Sequence, residues 1–139
     1  MRIIPRIQML LVELRYAWQR AWRGYDDVDV RSFGPLFMER TLKILRIFRQ
    51  RNIIQLPTFD QTGKITTFLS DDETNAVLDR MIRCFELADE DAVFELLWGK
   101  DWATHSLSFE EIKTVYEVRD RHAREALELF AKYCEHLWY

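Results

Sequence analysis

The chain has 139 residues, 48% of them hydrophobic and 14% aromatic, with only four Gly and three Pro. That length supports a real core in a single helical domain, residues 1–139, and the composition excludes a disordered or fibrous chain. The net charge of −3 is unevenly spread: residues 1–51 hold 11 Lys/Arg against 5 Asp/Glu, while 52–139 hold 9 against 18. The total is too acidic for a protein that coats duplex DNA, because such binding rests on neutralising phosphates. A chain polarised in this way is suited to self-association head to tail, or to offering a basic face to an anion.

Pro5 fits the first turn of a helix, and Ile7, Leu10, Leu11, Leu14, Trp18 and Ala21 or Trp22 recur at helical spacing. Gly24 supplies a stop, so the spacing predicts a first helix over about 5–23. An acidic loop runs to Ser32. Pro35 opens a second helix with Phe37 or Met38, Leu42, Leu45 and Phe48 as its apolar stripe, ending near Asn52. Residues 53–69 change character. Two short β-prone runs flank Asp60-Gln61-Thr62-Gly63-Lys64, which reads as a hairpin or as an extended loop laid over the helices. Pro57 restricts the first arm to a sheet edge.

Ser70-Asp71-Asp72-Glu73 is a capping box opening a helix over about 71–87, with Leu78, Met81, Ile82 and Phe85 on one face. A short helix follows over about 90–98, with Val93, Phe94, Leu97 and Trp98 apolar, closed by Gly99. Ser108-Phe109-Glu110-Glu111 is a second capping box, opening the longest helix over about 109–137. Its expected buried face is Ile112, Val115, Tyr116, Ala123, Ala126, Leu127, Phe130, Cys134 and Leu137. The expected fold class is therefore all-α in the main, a four-to-five-helix bundle with a short β-hairpin at about 53–69.

Cys84 and Cys134 lie in helical patterns without Cys or His at ligand spacing, and read as small hydrophobes in a reducing compartment. No apolar run is long enough to span a bilayer, and no cleavage site follows the apolar opening. No membrane association is expected; the expected location is intracellular.

The most informative stretch is Arg23-Gly24-Tyr25-Asp26-Asp27-Val28-Asp29, directly after a helix carrying Arg15, Trp18, Arg20 and Trp22. Asp26, Asp27 and Asp29 could cap the second helix and pair with Arg20, Arg23 or Arg31, hold a divalent cation, or contact a polar ligand. The loop does not follow the twelve-residue calcium pattern, and no metal is expected. Trp18, Trp22 and Tyr25 recur about one helical turn apart, which is core patterning more often than a binding platform. Yet rings beside guanidiniums also supply what a nucleobase with phosphate requires: a stacking face and charge-assisted donors. Arg40, Lys43, Arg46, Arg49 and Arg51 form a cationic stripe on the second helix that reads first as a solvated face. His105, His122 and His136 are too far apart in sequence to converge locally, and H-E-x-x-H, G-x-S-x-G and phosphate-binding Gly loops are absent. Neither catalysis nor a cofactor is expected.

These pieces carry a resemblance. Arg23 to Asp29, Leu45-Arg46-Ile47-Phe48, Leu78 to Glu86 with its L-D-x-M-I-x-x-F-E spacing, and Leu129 to Trp138 with L-F-x-K-Y-x-x-x-L-W fall in order. Together they resemble a family of small, mostly helical hypothetical proteins of tailed bacteriophages and prophages. Arg31 stands where that family often has Trp, and Gly34 where it often has Asp, which weakens a metal reading further. The resemblance implies a phage accessory protein in the host cytoplasm, and by analogy a counter-defence factor.

Two functions are therefore expected in order. The first is a non-enzymatic homo-oligomer that sequesters a cyclic nucleotide or ADP-ribose-type immune signal. Trp18, Trp22 or Tyr25 would stack the base, and Arg23, Arg31 or Arg46 would neutralise phosphate. Asp26, Asp27 or Asp29 would orient those guanidiniums or accept ribose hydroxyls. The second is a protein–protein inhibitor or adaptor of a host defence protein, its acidic half competing for a basic surface through Asp71-Asp72-Glu73 and Asp89-Glu90-Asp91.

Overall fold

The computed structural model describes residues 4–23, 33–51 and 54–137, and is mainly α-helical with one small hairpin. The chain divides into two compact units, Met1–Phe37 and Met38–Tyr139. The first unit holds helix α1, Ile4–Arg23, whose last turn carries Arg20 and Arg23 where cations favour the helix dipole. The opening turn of α2 also belongs to it. That helix, Phe33–Arg51, starts two residues before the expected Pro35. Pro35 is tolerated there because the first-turn N–H groups have no partner inside the helix.

In the second unit, α2 buries Thr41, Leu45 and Phe48 at i, i+4, i+7 spacing. Strands β1, Pro57–Phe59, and β2, Ile65–Phe68, pair antiparallel with Thr58 opposite Thr67, and an irregularity between Thr58 and Phe59. The turn is built on Asp60, whose Oδ1 accepts from the Thr62 N–H at 2.8 Å, the Thr62 hydroxyl at 2.6 Å and the Lys64 N–H at 3.0 Å. Those donors hold its carboxyl below the usual carboxylate range, the Thr62 hydroxyl contributing most. Gly63 takes φ +82°, the left-handed conformation that favours glycine. A lone ribbon of this size is marginal, and this one does not stand alone. Phe59 packs on Tyr133 and on His136, with ring centroids 6.3 and 5.6 Å apart. The Leu56 N–H donates to the buried Thr74 hydroxyl at 3.1 Å.

Helices α3 (Asp71–Glu86), α4 (Glu90–Trp98) and α5 (Phe109–Tyr133) complete the unit, and α5 packs against both of the others. Both capping boxes form, with Ser70 and Glu73, and Ser108 and Glu111, exchanging side-chain and backbone bonds. A core of Leu45, Leu56, Leu78, Met81, Phe85, Val115 and Ala126 lies fully or almost fully out of solvent. Phe85 meets Phe130 edge-on at 6.1 Å. A neighbouring cluster joins Leu87, Val93, Phe94 and Val115 to the partly buried Trp98, Trp102, Leu107 and Val118. The thiols of Cys84 and Cys134 are free.

Two face assignments on α5 need correction. Tyr116 and Leu127 are 40% and 43% exposed, whereas Tyr133 is buried. Val115, Ala126 and Tyr133 lie within about 20° of one line along the helix, at 100° per residue. Tyr116 and Leu127 sit roughly 100° and 120° around from that line, so they reach the rim of the interface. Leu97 on α4 is also exposed, at 40%. The last helix ends at Tyr133 and tightens into a 3-10 turn, Cys134–His136, as helix ends often do.

Candidate functional site

Of the expected ligand residues, Trp18, Trp22 and Arg23 lie on α1, and Arg46 lies on α2. Tyr25, Asp26, Asp27, Asp29 and Arg31 lie outside the described residues. Trp18 and Trp22 are 70% and 80% exposed. Helix geometry divides the set further. Trp22 follows Trp18 by four residues and shares its face, whereas Arg23 sits about 140° around from Trp18 and about 100° from Trp22. The guanidinium on the tryptophan face belongs to Arg15, roughly 60° from Trp18 and 20° from Trp22. Its spacing of three and seven residues from the two indoles was the signal available in the sequence.

The same face carries Leu11 and Leu14, 59% and 58% exposed. With the two indoles they form a stripe within about 80° of arc, reading i, i+3, i+7, i+11. These four belong to the apolar pattern that predicted the helix, and all four are exposed.

Arg46 has a structural partner. Its Nη2 donates to Glu86 Oε1 at 2.8 Å, tying α2 to α3. One step along, Arg49 grips Asp79 with two bonds, Nε to Oδ1 at 2.7 Å and Nη2 to Oδ2 at 3.1 Å. Lys43 pairs with Glu39 one turn back. The cationic stripe of α2 is thus spent largely on ion pairs. Glu86, held by Arg46 first and Arg83 second, has its carboxyl pulled below the ordinary glutamate value. Of the acidic windows, Glu73 completes a capping box and Asp89 caps α4 by accepting from the Ala92 N–H at 3.1 Å. A ring nitrogen of His122 meets the Val118 carbonyl at 2.8 Å, and His136 packs on Phe59. Among the described residues, no group of three or more His, Cys, Asp or Glu is placed to hold a metal ion. Nor is any described helix long and apolar enough to cross a membrane.

Depressions mark the surface of the second unit among the described residues. One, of about 790 Å³, runs between α3 and α5 and is walled by Arg80, Arg121, Arg124 and Lys132 against Glu117, Asp120, Glu125 and Glu128. Arg80 is ion-paired with Glu125 across it. Its charges balance, which makes it a solvated groove without preference for either sign. A small apolar hollow of about 190 Å³ lies between α2 and the end of α5, against Ile44, Phe48, Phe130 and Leu137. The third, about 430 Å³, opens beside the start of α4 and combines acids with rings: Glu90, Asp91, Phe94, Trp102 and Tyr116. The sequence offers Glu90 and Asp91 as part of an acidic window and Tyr116 as a core residue, and it does not join them, because Glu90 and Tyr116 come together only through the packing of α4 on α5. No protein-family model, curated protein or solved structure matches the chain.

Proposed function

We propose that this chain is a non-catalytic binding protein, a phage-type accessory factor that inhibits or adapts a host protein by docking the apolar face of α1. The single observation that carries this reading is the exposed stripe of Leu11, Leu14, Trp18 and Trp22. An amphipathic helix lays such anchors into a groove on its partner at i, i+3, i+4 and i+7 spacing. Tryptophan is the residue most able to concentrate binding energy at the centre of an interface. The stripe runs for about 16 Å, from a rise of 1.5 Å per residue, which is long enough for three helical turns of contact. In this reading the partner is recognised by apolar burial more than by the acidic windows, since Glu73 and Asp89 are committed to capping.

A second reading, sequestration of a nucleotide-derived signal, is favoured by the two exposed indoles one turn apart with Arg15 on their face. It supplies a stacking surface and a cation, on a convex helix that by itself encloses no ligand.

Photo-crosslinking separates the two. With benzoylphenylalanine at position 18 of the full chain in the bacterial host, the docking reading predicts one discrete protein adduct, lost when Leu11 and Leu14 are both changed to Asp. No adduct from positions 14, 18 or 22 overturns it. Calorimetric binding of a cyclic nucleotide, abolished by Trp18→Ala, would establish the second reading in its place.

A further inference from the structure

The third depression joins features that no capping role requires to be together. Phe94 and Trp102 stack face to face, with centroids 4.3 Å apart and planes 12° apart, so that Phe94 backs the Trp102 indole, which lines the depression. Phe94 is buried in the core cluster, so the indole stacked on it is anchored. Tyr116 and the Glu90 and Asp91 carboxylates line the same space. Its volume of about 430 Å³ falls in the range of small-ligand sites.

The protein already shows what these groups receive. The Arg119 guanidinium lies 4.8 Å from the centroid of the Tyr116 ring and 3.5 Å from Glu90 Oε2. Tyr116 Oη donates to the other oxygen of Glu90 at 3.2 Å, fixing ring and carboxylate in one unit. Arg119 thereby offsets Glu90. Among the described residues no Lys or Arg is ion-paired with Asp91. The depression therefore keeps an unbalanced negative charge next to aromatic surface, a combination that recognises organic cations.

We propose that this cleft between α4 and α5 binds a guanidinium group, the side chain of an arginine presented by a basic protein segment. The flat Trp102 indole favours a planar guanidinium over the compact, strongly hydrated ammonium of lysine. Asp91 supplies the charge-assisted acceptor, and Tyr116 and Trp102 the faces. The cleft lies wholly within residues 90–116, so this inference stands independently of the role assigned to α1.

The test follows two-dimensional amide spectra of the full chain during titration with Nα-acetyl-arginine N-methylamide. The lysine and citrulline analogues, and a glycine-flanked peptide containing one arginine between two lysines, are titrated alongside. The proposal expects saturable shifts of the Trp102 indole N–H and the Glu90 and Asp91 amides. Binding should be about fivefold or more tighter for arginine than for lysine, and absent for the uncharged citrulline. Asp91→Asn, at an exposed position with no structural bond to lose, should weaken binding about tenfold while leaving the rest of the spectrum unchanged. Tyr116→Phe offers a second variant that keeps the ring. The peptide should bind more tightly than the single amino-acid derivative. Equal binding of the two would overturn the assignment to a protein segment. Citrulline binding as well as arginine, or no shift at Trp102, would overturn the cation site itself.

Discussion

Replacing Thr74 by Val tests how the segment before the hairpin is held. Thr74 and Leu56 are both fully out of solvent, and the Thr74 hydroxyl is the acceptor for the Leu56 N–H at 3.1 Å. Valine copies the shape of threonine but cannot accept, so the Leu56 N–H is stranded where water does not reach. A stranded buried donor costs about 1–3 kcal/mol. For a urea dependence of about 2 kcal/mol per molar, a loss of about 2 kcal/mol lowers the midpoint by about 1 M. Thr74→Ser keeps the acceptor and loses one methyl, at about 1 kcal/mol. The two variants are best separated by hydrogen exchange at the Leu56 amide. Valine should abolish much of its protection and serine should retain it. The Leu69 N–H donates to the Leu56 carbonyl at 2.8 Å, so β2 should loosen with it in the valine variant. If Thr74→Val left both the urea midpoint and the Leu56 protection unchanged, the proposed pin would not exist.

Three further outcomes follow from side-chain chemistry. Glu86→Gln should destabilise the chain at neutral pH by breaking the link between α2 and α3. A carboxyl held below its ordinary 4.5 contributes stability above the unfolded value and loses it as pH falls through the folded one. The gap between wild type and variant should therefore close in acid, and a pH-independent gap in denaturation curves would count against the ion pair. The Cys84 thiol is buried, and burial first, with Glu125 second, pushes its pKa up. It should react with an aromatic disulfide reagent only after denaturation, and rapid labelling of Cys84 in the native chain would contradict this placement. Ser108→Ala removes one of the two capping-box bonds at the start of α5 and should cost about 1 kcal/mol; an unchanged thermal midpoint would deny the cap its role.

Local signals in the sequence were read correctly where the interaction is local. Ser70 with Glu73 and Ser108 with Glu111 are three residues apart, so the cap and its reciprocal bond are written in four letters. The hairpin was legible for the same reason, since Asp60 and Gly63 build the turn between themselves and Lys64. Helical periodicity located α3 well, with Leu78, Met81 and Phe85 all buried. It placed α5 and most of its face, with Val115 and Ala126 buried, but set Tyr116 and Leu127 inside, because a 25-residue helix offers two adjacent apolar lines and only packing chooses between them. In α1 the periodic stripe reads as core patterning or a stacking platform, yet Leu11 and Leu14 are exposed along with the indoles. Periodicity reports that a helix has an apolar side without reporting what that side meets.

The candidate sites were less legible. Arg46 was grouped with a phosphate ligand from its charge alone, while its partner Glu86 lies 40 residues away. Arg23 belongs to the right helix but to a different face from Trp18, a distinction that counting at 100° per residue makes plain. The cleft beside α4 was invisible for a deeper reason. Glu90 and Tyr116 are 26 residues apart, and each has an ordinary local explanation as a first-turn acid and an interfacial ring.

Docking through α1 requires its indoles to be available to a partner. Fluorine NMR of the full chain labelled with 5-fluorotryptophan, assigned by Trp18→Phe and Trp22→Phe, measures this directly through the shift on exchanging H2O for D2O. Large solvent shifts at both positions, with a small one at Trp98, are predicted. Shifts at Trp18 and Trp22 as small as that of Trp98 would mean the stripe is enclosed within the protein, and would contradict a docking role for α1.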